Sequence, residues 1–171
     1  MALLRLIHIL AGIFWVGATI FLAAFLLPAA RAVGPSAGPL MTQLMQGQKL
    51  QRWINIAMTL AILAGFALYG MDTRLSGGAN FGRSAAGMTY FLGALLAIAA
   101  SGVSGAMAQP AGRKLGVLAE RMRAAQQSGS APPANLAAEA EPLQRKLARA
   151  LTIASWLLVF SATTMAIARY L

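Results

Sequence analysis

The amino-acid sequence predicts an all-α protein, a four-helix transmembrane bundle with short amphipathic cytoplasmic helices. Hydrophobic residues make up 58% of the 171 residues and charged residues 11%, whereas a soluble domain carries about 25% charged residues. The charges lie between four long apolar segments, and we expect a single integral membrane domain over residues 1–171. The sequence contains no cysteine, which excludes disulfides, thiolate metal sites and cysteine nucleophiles.

The four apolar segments cover about residues 6–27, 53–69, 85–107 and 148–168. About 20 apolar residues cross the hydrocarbon core of a bilayer, and the first, third and fourth segments reach that length. The second is shorter, and we expect its helix to continue backwards through Leu50, Leu44 and Leu40 as an amphipathic extension outside the membrane. The first segment is too long for a signal peptide and residues 28–31 are a poor cleavage site, so we expect it to be retained.

Basic residues are divided unequally between the two ends of the predicted bundle. Four lie at one end, Arg5, Arg74, Arg83 and Arg169. Ten lie at the other: Arg31, Lys49, Arg52, Arg113, Lys114, Arg121, Arg123, Arg145, Lys146 and Arg149. The positive-inside rule then places loops 28–52 and 108–147 in the cytoplasm and both termini outside. The net charge of +10 follows from this bias, so we expect anionic lipid head groups as partners and no nucleic acid.

The loop after the third segment has structure of its own. Residues 115–126 place Leu115, Leu118 and Met122 on one face, which predicts a short helix at the head-group level or packed under the bundle. Residues 128–133 have the composition of a flexible link. We expect Pro142 in the first turn of the next helix, and Glu141 to pair with Arg145 at i,i+4.

Small residues within the spans predict close helix packing, because lipid offers no hydrophobic drive for helices to associate. The candidates are Gly12 and Gly17 in the first span, Gly65 in the second, and Ser101, Gly102, Ser104 and Gly105 in the third. In the fourth, we expect the hydroxyls of Ser155, Ser161, Thr163 and Thr164 to bond to nearby carbonyls. A cofactor cleft would also need small residues, and the pattern does not separate the two.

His8 is the only histidine and the main candidate for chemistry. Gly12 and Trp15 follow it at i+4 and i+7, so the three residues share one helix face. One hypothesis makes His8 an axial ligand to a haem, with Gly12 leaving room for the macrocycle. The alternative is an imidazole near the head groups that bonds to a backbone carbonyl. The sequence offers no cluster of His, Asp and Glu for zinc or a di-iron site.

Other side chains carry weaker signals. Met41 and Met45 are one helical turn apart and would suit Cu(I), although methionine is also an ordinary apolar filler. Arg31 and Arg52 flank the first cytoplasmic loop, where they set topology or hold an anionic group. Interface anchoring is the default role of the aromatic residues near span ends, which are Trp15, Trp53, Trp156, Tyr69, Tyr90 and Tyr170.

The first span as a whole resembles a motif of two groups of small bacterial membrane proteins. Residues 6–17, read with Phe21 and Leu27-Pro28, resemble the opening of the copper-resistance D type of membrane domain and of the membrane-bound protoporphyrinogen oxidase of haem synthesis. Both open a span with a leucine-histidine-isoleucine stretch followed by a tryptophan and a glycine. The stretch is most similar to uncharacterised four-span bacterial proteins that share the exit at residues 28–35, and the resemblance covers residues 4–36.

The resemblance implies a bacterial inner membrane and, through the oxidase family, binding of haem b by His8. That family also has a lysine near the start of its third span, where this chain has Arg83. We therefore expect a protein that is not an enzyme by itself. Three hypotheses remain open: a haem-associated or electron-transfer protein, a copper transport or tolerance component, and a structural accessory subunit that forms a homo-oligomer or joins a larger membrane complex.

Overall fold

A computed structural model describes residues 1–75, 78–129 and 135–171. Within these ranges, four helices are long and apolar enough to cross a membrane. They are α1 Ala2–Val33, α3 Leu50–Leu75, α5 Ala85–Gln127 and α6 Asn135–Ala168. Two short helices, α2 Gly38–Thr42 and α4 Ala79–Arg83, lie between them. The predicted all-α class with four long helices and additional short ones is confirmed.

The long helices pack as two antiparallel pairs, α1 against α3 and α5 against α6, and the core lies where the pairs meet. Its buried members are Trp15, Leu22, Ile54, Ala57, Ala61, Ala100, Ala154 and Leu158. Half of these residues are alanine. Because a lipid-facing helix gains little from burying apolar area, close backbone approach over small residues is what stabilises such a bundle.

The outward surface of the long helices is apolar. Large side chains between 44% and 63% exposed include Phe14, Phe21, Phe25, Leu63, Phe66, Phe91 and Phe160. A soluble protein rarely exposes so much contiguous apolar surface. Together with the four helices of spanning length, this surface indicates a multi-pass membrane protein.

Polar contacts at the two ends of the bundle fix which termini lie together. At one end, the Arg5 guanidinium pairs with the Asp72 carboxylate at 3.5 Å. At the other, Arg31 Nη2 donates to the backbone carbonyl of Gln144 at 2.8 Å. The start of α1 therefore lies beside the end of α3, and the end of α1 lies beside the start of α6. Which end faces the cytoplasm stays a prediction.

Three prolines lie inside the described long helices, and two of them follow a π turn. Pro28 comes after the turn Leu22–Leu26 of α1, and Pro110 comes after the turn Ser104–Ala108 of α5. A proline lacks an N–H, and its ring clashes with the carbonyl four residues back, which here belongs to the π turn. The wider turn accommodates the ring, so both helices continue past their proline.

The continuation of α5 to Gln127 corrects one prediction. Residues 115–126 do not form a separate helix at the head groups but are the last turns of the same helix as the third span. At about 1.5 Å per residue, the 43 residues of α5 exceed what one bilayer crossing requires by about twofold. The predicted flexible link, residues 128–133, falls largely outside the described residues.

The backward extension of the second span is also wrong as predicted. Leu40 lies in α2 and Leu44 in the π turn Gln43–Gly47, whereas α3 begins only at Leu50. Lys49 separates them with a φ of 52°. This left-handed conformation cannot continue a right-handed helix, so the chain changes direction at Lys49.

The start of α6 differs from expectation as well. Pro142 lies inside the helix, well past its first turn, because α6 already begins at Asn135. The predicted i,i+4 pair is confirmed, with Glu141 Oε1 at 3.0 Å from Arg145 Nη1. Both side chains are largely exposed, so the pair contributes little to stability.

The small residues that mediate packing are only partly the predicted ones. Gly102 and Gly105 are exposed, and a Cβ on either would meet no atom within 4 Å. Gly93 instead lies in the α5–α6 contact, where it was not predicted. The hydroxyl prediction is confirmed: Ser161 Oγ donates across the helices to Gly93 O at 2.7 Å, and Ser155, Thr163 and Thr164 bond to carbonyls of their own helix.

Candidate functional site around His8

His8 lies in the contact between α1 and α3, half-buried and one turn inward from the Arg5–Asp72 pair. Its Nδ1 lies 2.8 Å from the backbone carbonyl oxygen of Ala61. The imidazole covers Gly65, where an added Cβ would lie 2.9 Å from His8 Cε1. The contact depends on two small residues one turn apart on α3, because any larger pair would keep the ring away from the helix backbone.

The hydrogen bond determines the tautomer of the ring. A carbonyl oxygen only accepts, so Nδ1–H donates the hydrogen bond to Ala61 O, and in the neutral imidazole the lone pair then lies on Nε2. Among the described residues, nothing hydrogen-bonds to Nε2, and no buried side-chain nitrogen or oxygen lacks a partner. Nε2 is therefore not completely buried. An imidazole with its Nδ1–H on a carbonyl and Nε2 free has the usual arrangement of a metal ligand.

The two other residues predicted with His8 lie in different surroundings. Gly12 is half-buried, and a Cβ there would meet no atom within 4 Å, so the helix face next to His8 is open. Trp15 is only 3% exposed and packs in the core between the helix pairs. The expectation that Trp15 anchors the membrane interface is therefore wrong, whereas Trp53 and Trp156 are largely exposed. A contact of Gly12 or Trp15 with a cofactor stays a prediction.

The described acids do not complete a metal centre with His8. Within the described ranges, no three His, Asp or Glu side chains come together. Met45 is half-buried and packs against the core, which is the apolar-filler role considered for it.

Gly65 was predicted as a close-packing residue, and the structure shows that it packs against His8. Sequence reasoning missed Ala61 and the link between Gly65 and His8, because Ala61 acts through a backbone atom and Gly65 through an absent side chain. The signal that would have found them is the small-residue spacing of Ala57, Ala61 and Gly65 on one face of α3. A second missed feature links α3 to α5, where Asn55 Oδ1 accepts from Gln109 Nε2 at 3.4 Å.

Replacing Gly65 by alanine should break the His8 contact. The new methyl group would need the space of Cε1, so the ring must move and lose its bond to Ala61 O. Hydrogen bonds between membrane helices contribute about 0.6 kcal/mol on average, and displaced packing adds to this, so we expect a loss of about 1 kcal/mol. Unfolding by SDS titration, followed by circular dichroism, measures the change. Gly70→Ala on the same helix, where a Cβ meets nothing within 4 Å, is the matched control, and an equal loss there would contradict the assignment.

Comparisons with known proteins do not assign the chain to a family. No family model, no curated protein and no solved structure matches the chain. The conclusions about function therefore depend on the residues themselves.

Proposed function

We propose that this protein is a haem-associated, electron-transfer-related membrane protein in which His8 Nε2 would bind the iron of haem b. The observation that carries the proposal is the bond from Nδ1 to Ala61 O, which holds the imidazole with the lone pair on an Nε2 that is not completely buried. The open face at Gly12 supports it, as does the resemblance of the first span to the membrane-bound oxidase family, which implies haem b at the matching histidine. The proposed location is a bacterial inner membrane, with both termini outside.

The residues around His8 would orient its imidazole as an iron ligand rather than bind a substrate. The Ala61 carbonyl fixes the ring orientation, and a hydrogen bond from Nδ1–H to an acceptor makes an imidazole a more basic ligand. Gly65 allows the ring to lie against α3, and Gly12 leaves one face of α1 uncovered. A bound haem b would supply one-electron chemistry.

The experiment is an absorption spectrum of the detergent-purified protein, expressed with supplemental haem. We expect a b-type spectrum in the unchanged protein and its loss in His8→Ala. Gly12→Leu should also remove the spectrum, because leucine fills the open face while His8 and its bond to Ala61 O remain.

Gly102→Leu is the control for the second variant, since it adds the same side chain at another helical glycine with open space around it. It should leave the spectrum unchanged. A colourless unchanged protein, or a spectrum that persists in His8→Ala, would rule the proposal out.

A second candidate function is that of an accessory subunit in a larger membrane complex. The observation that favours it is the exposed pair Gly102 and Gly105 on α5, where an added Cβ would meet no atom within 4 Å. Small residues three apart on an open helix face allow another helix to approach closely. Under this alternative, Gly105→Leu should release the protein from a complex seen by native gel electrophoresis of mildly solubilised membranes, and Gly70→Leu should not.

A further inference from the structure

An apolar groove lies between α1 and α3 and is open to the surface of the protein. Its volume is about 670 Å³, within the range of about 300–1,000 Å³ that is usual for ligand sites. The lining residues include Leu10, Ala11 and Phe14 from α1 and Trp53, Ala57 and Leu60 from α3. Ala57 is buried at its base, whereas Leu10 is 57% and Trp53 58% exposed. The groove exists because Ala11 on α1 and Ala57 on α3 are small residues flanked by larger side chains.

Two basic residues adjoin the lining residues at one end of the groove. Gln48 and Leu50 line it there, and Lys49 lies between them in the sequence. Arg52 precedes Ile56, another lining residue, by one turn on the same face of α3. Lys49 and Arg52 are both exposed, and neither pairs with an acid in the part of the chain that the structure describes.

The backbone adds to this charge. Helix α3 begins at Leu50, and the first N–H groups of a long helix carry a partial positive charge that favours anions. The lining itself offers no charged side chain. An occupant that matches the whole site therefore has a long apolar part and a single anionic group at one end.

We propose that this groove binds one anionic phospholipid, with an acyl chain between α1 and α3 and the phosphate at Lys49, Arg52 and the start of α3. The apolar lining excludes a water-soluble anion from most of the volume. The two uncompensated basic residues at one end distinguish an anionic from a zwitterionic lipid. This inference is independent of the haem proposed at His8, because the groove is not lined by that residue.

The test uses fluorescence quenching by lipids that carry bromine on the acyl chain. In a Trp156→Phe background, Trp53 is the only exposed tryptophan, since the chain has three and Trp15 is 3% exposed. Vesicles of phosphatidylcholine receive brominated phosphatidylglycerol or, separately, brominated phosphatidylcholine. We expect the phosphatidylglycerol to quench Trp53 at a clearly lower mole fraction.

The combined variant Lys49→Asn and Arg52→Gln should lower the relative affinity for phosphatidylglycerol by at least about fivefold, the effect of one basic residue near a membrane surface. Asparagine is chosen because it tolerates the left-handed conformation of position 49. Arg121→Gln with Arg123→Gln removes the same charge near the far end of α5 and should leave the preference unchanged.

Two further measurements separate the groove from general surface attraction. Ala11→Phe fills the groove but keeps both basic residues, and it should abolish the preference. Inorganic phosphate should not relieve the quenching. Equal quenching by the two brominated lipids, a preference that survives Ala11→Phe, or relief by phosphate would each overturn the proposal.

Discussion

Replacing Trp15 by alanine is expected to cost about 3 kcal/mol of unfolding free energy. Trp15 is 3% exposed and belongs to the core that joins the two helix pairs. Aromatic-to-alanine changes in protein cores cost about 3–5 kcal/mol because a cavity remains. We expect the lower end of that range, since the lipid around an unfolded membrane helix is as apolar as the core and only the lost packing counts. The bond from Thr19 Oγ1 to Trp15 O, at 2.8 Å, involves the backbone and should persist.

The measurement is SDS-induced unfolding followed by circular dichroism, which does not depend on tryptophan emission. Trp156→Ala is the matched control. Trp156 is 61% exposed on the outer surface, where its ring lies 6.2 Å from that of Phe160. The control removes the same side chain from a lipid-facing position and should change the free energy by less than about 1 kcal/mol. Equal losses in the two variants would show that Trp15 does not hold the helix pairs together.

The four long helices could be predicted because hydrocarbon imposes strong constraints. A backbone in lipid must satisfy its hydrogen bonds within the helix, so long uncharged stretches have few alternatives. The basic residues likewise separate into two sets, which the Arg5–Asp72 and Arg31–Gln144 contacts place at opposite ends of the bundle. Both predictions depend on many residues at once, so an exception at a single position does not change them.

The predicted helix boundaries were wrong where the conformation at a single residue determines the boundary. The left-handed φ of Lys49 interrupts the helix that Leu44 and Leu50 were expected to share. The π turn before Pro110 has the opposite effect and lets α5 continue beyond residue 107, where the third span was predicted to end. Both outcomes depend on one or two backbone angles, and composition or periodicity carries no information about them.

The candidate site was predictable in its side chain but not in its surroundings. His8 was singled out because it is the only histidine, and an imidazole bonded to a backbone carbonyl was one of the two alternatives considered. That bond is present, to Ala61. The carbonyl that accepts this hydrogen bond could not be predicted, because it depends on the relative axial position of α1 and α3. The bond also does not exclude a ligand role, since it leaves Nε2 free.

Replacing Gly93 by leucine is the second change with a large expected effect. Gly93 lies in the α5–α6 contact, and its carbonyl accepts a hydrogen bond from the buried hydroxyl of Ser161. Even a Cβ there would lie 2.8 Å from Met165 Cγ and 2.8 Å from Thr164 Oγ1. Added volume in a packed core costs about 1–3 kcal/mol. We expect the upper end of this range, because leucine adds four heavy atoms and must also separate Ser161 from its acceptor.

Gly102→Leu provides the comparison, because it places the same side chain on the same helix where a Cβ meets nothing within 4 Å. It should leave the SDS unfolding midpoint almost unchanged. Adding Met165→Ala to Gly93→Leu should restore part of the lost stability, since Met165 supplies two of the three nearest atoms. If Gly93→Leu and Gly102→Leu destabilise equally, the two helices do not approach each other at Gly93. If Met165→Ala makes the Gly93 variant still less stable, the cost arises from something other than the steric contact.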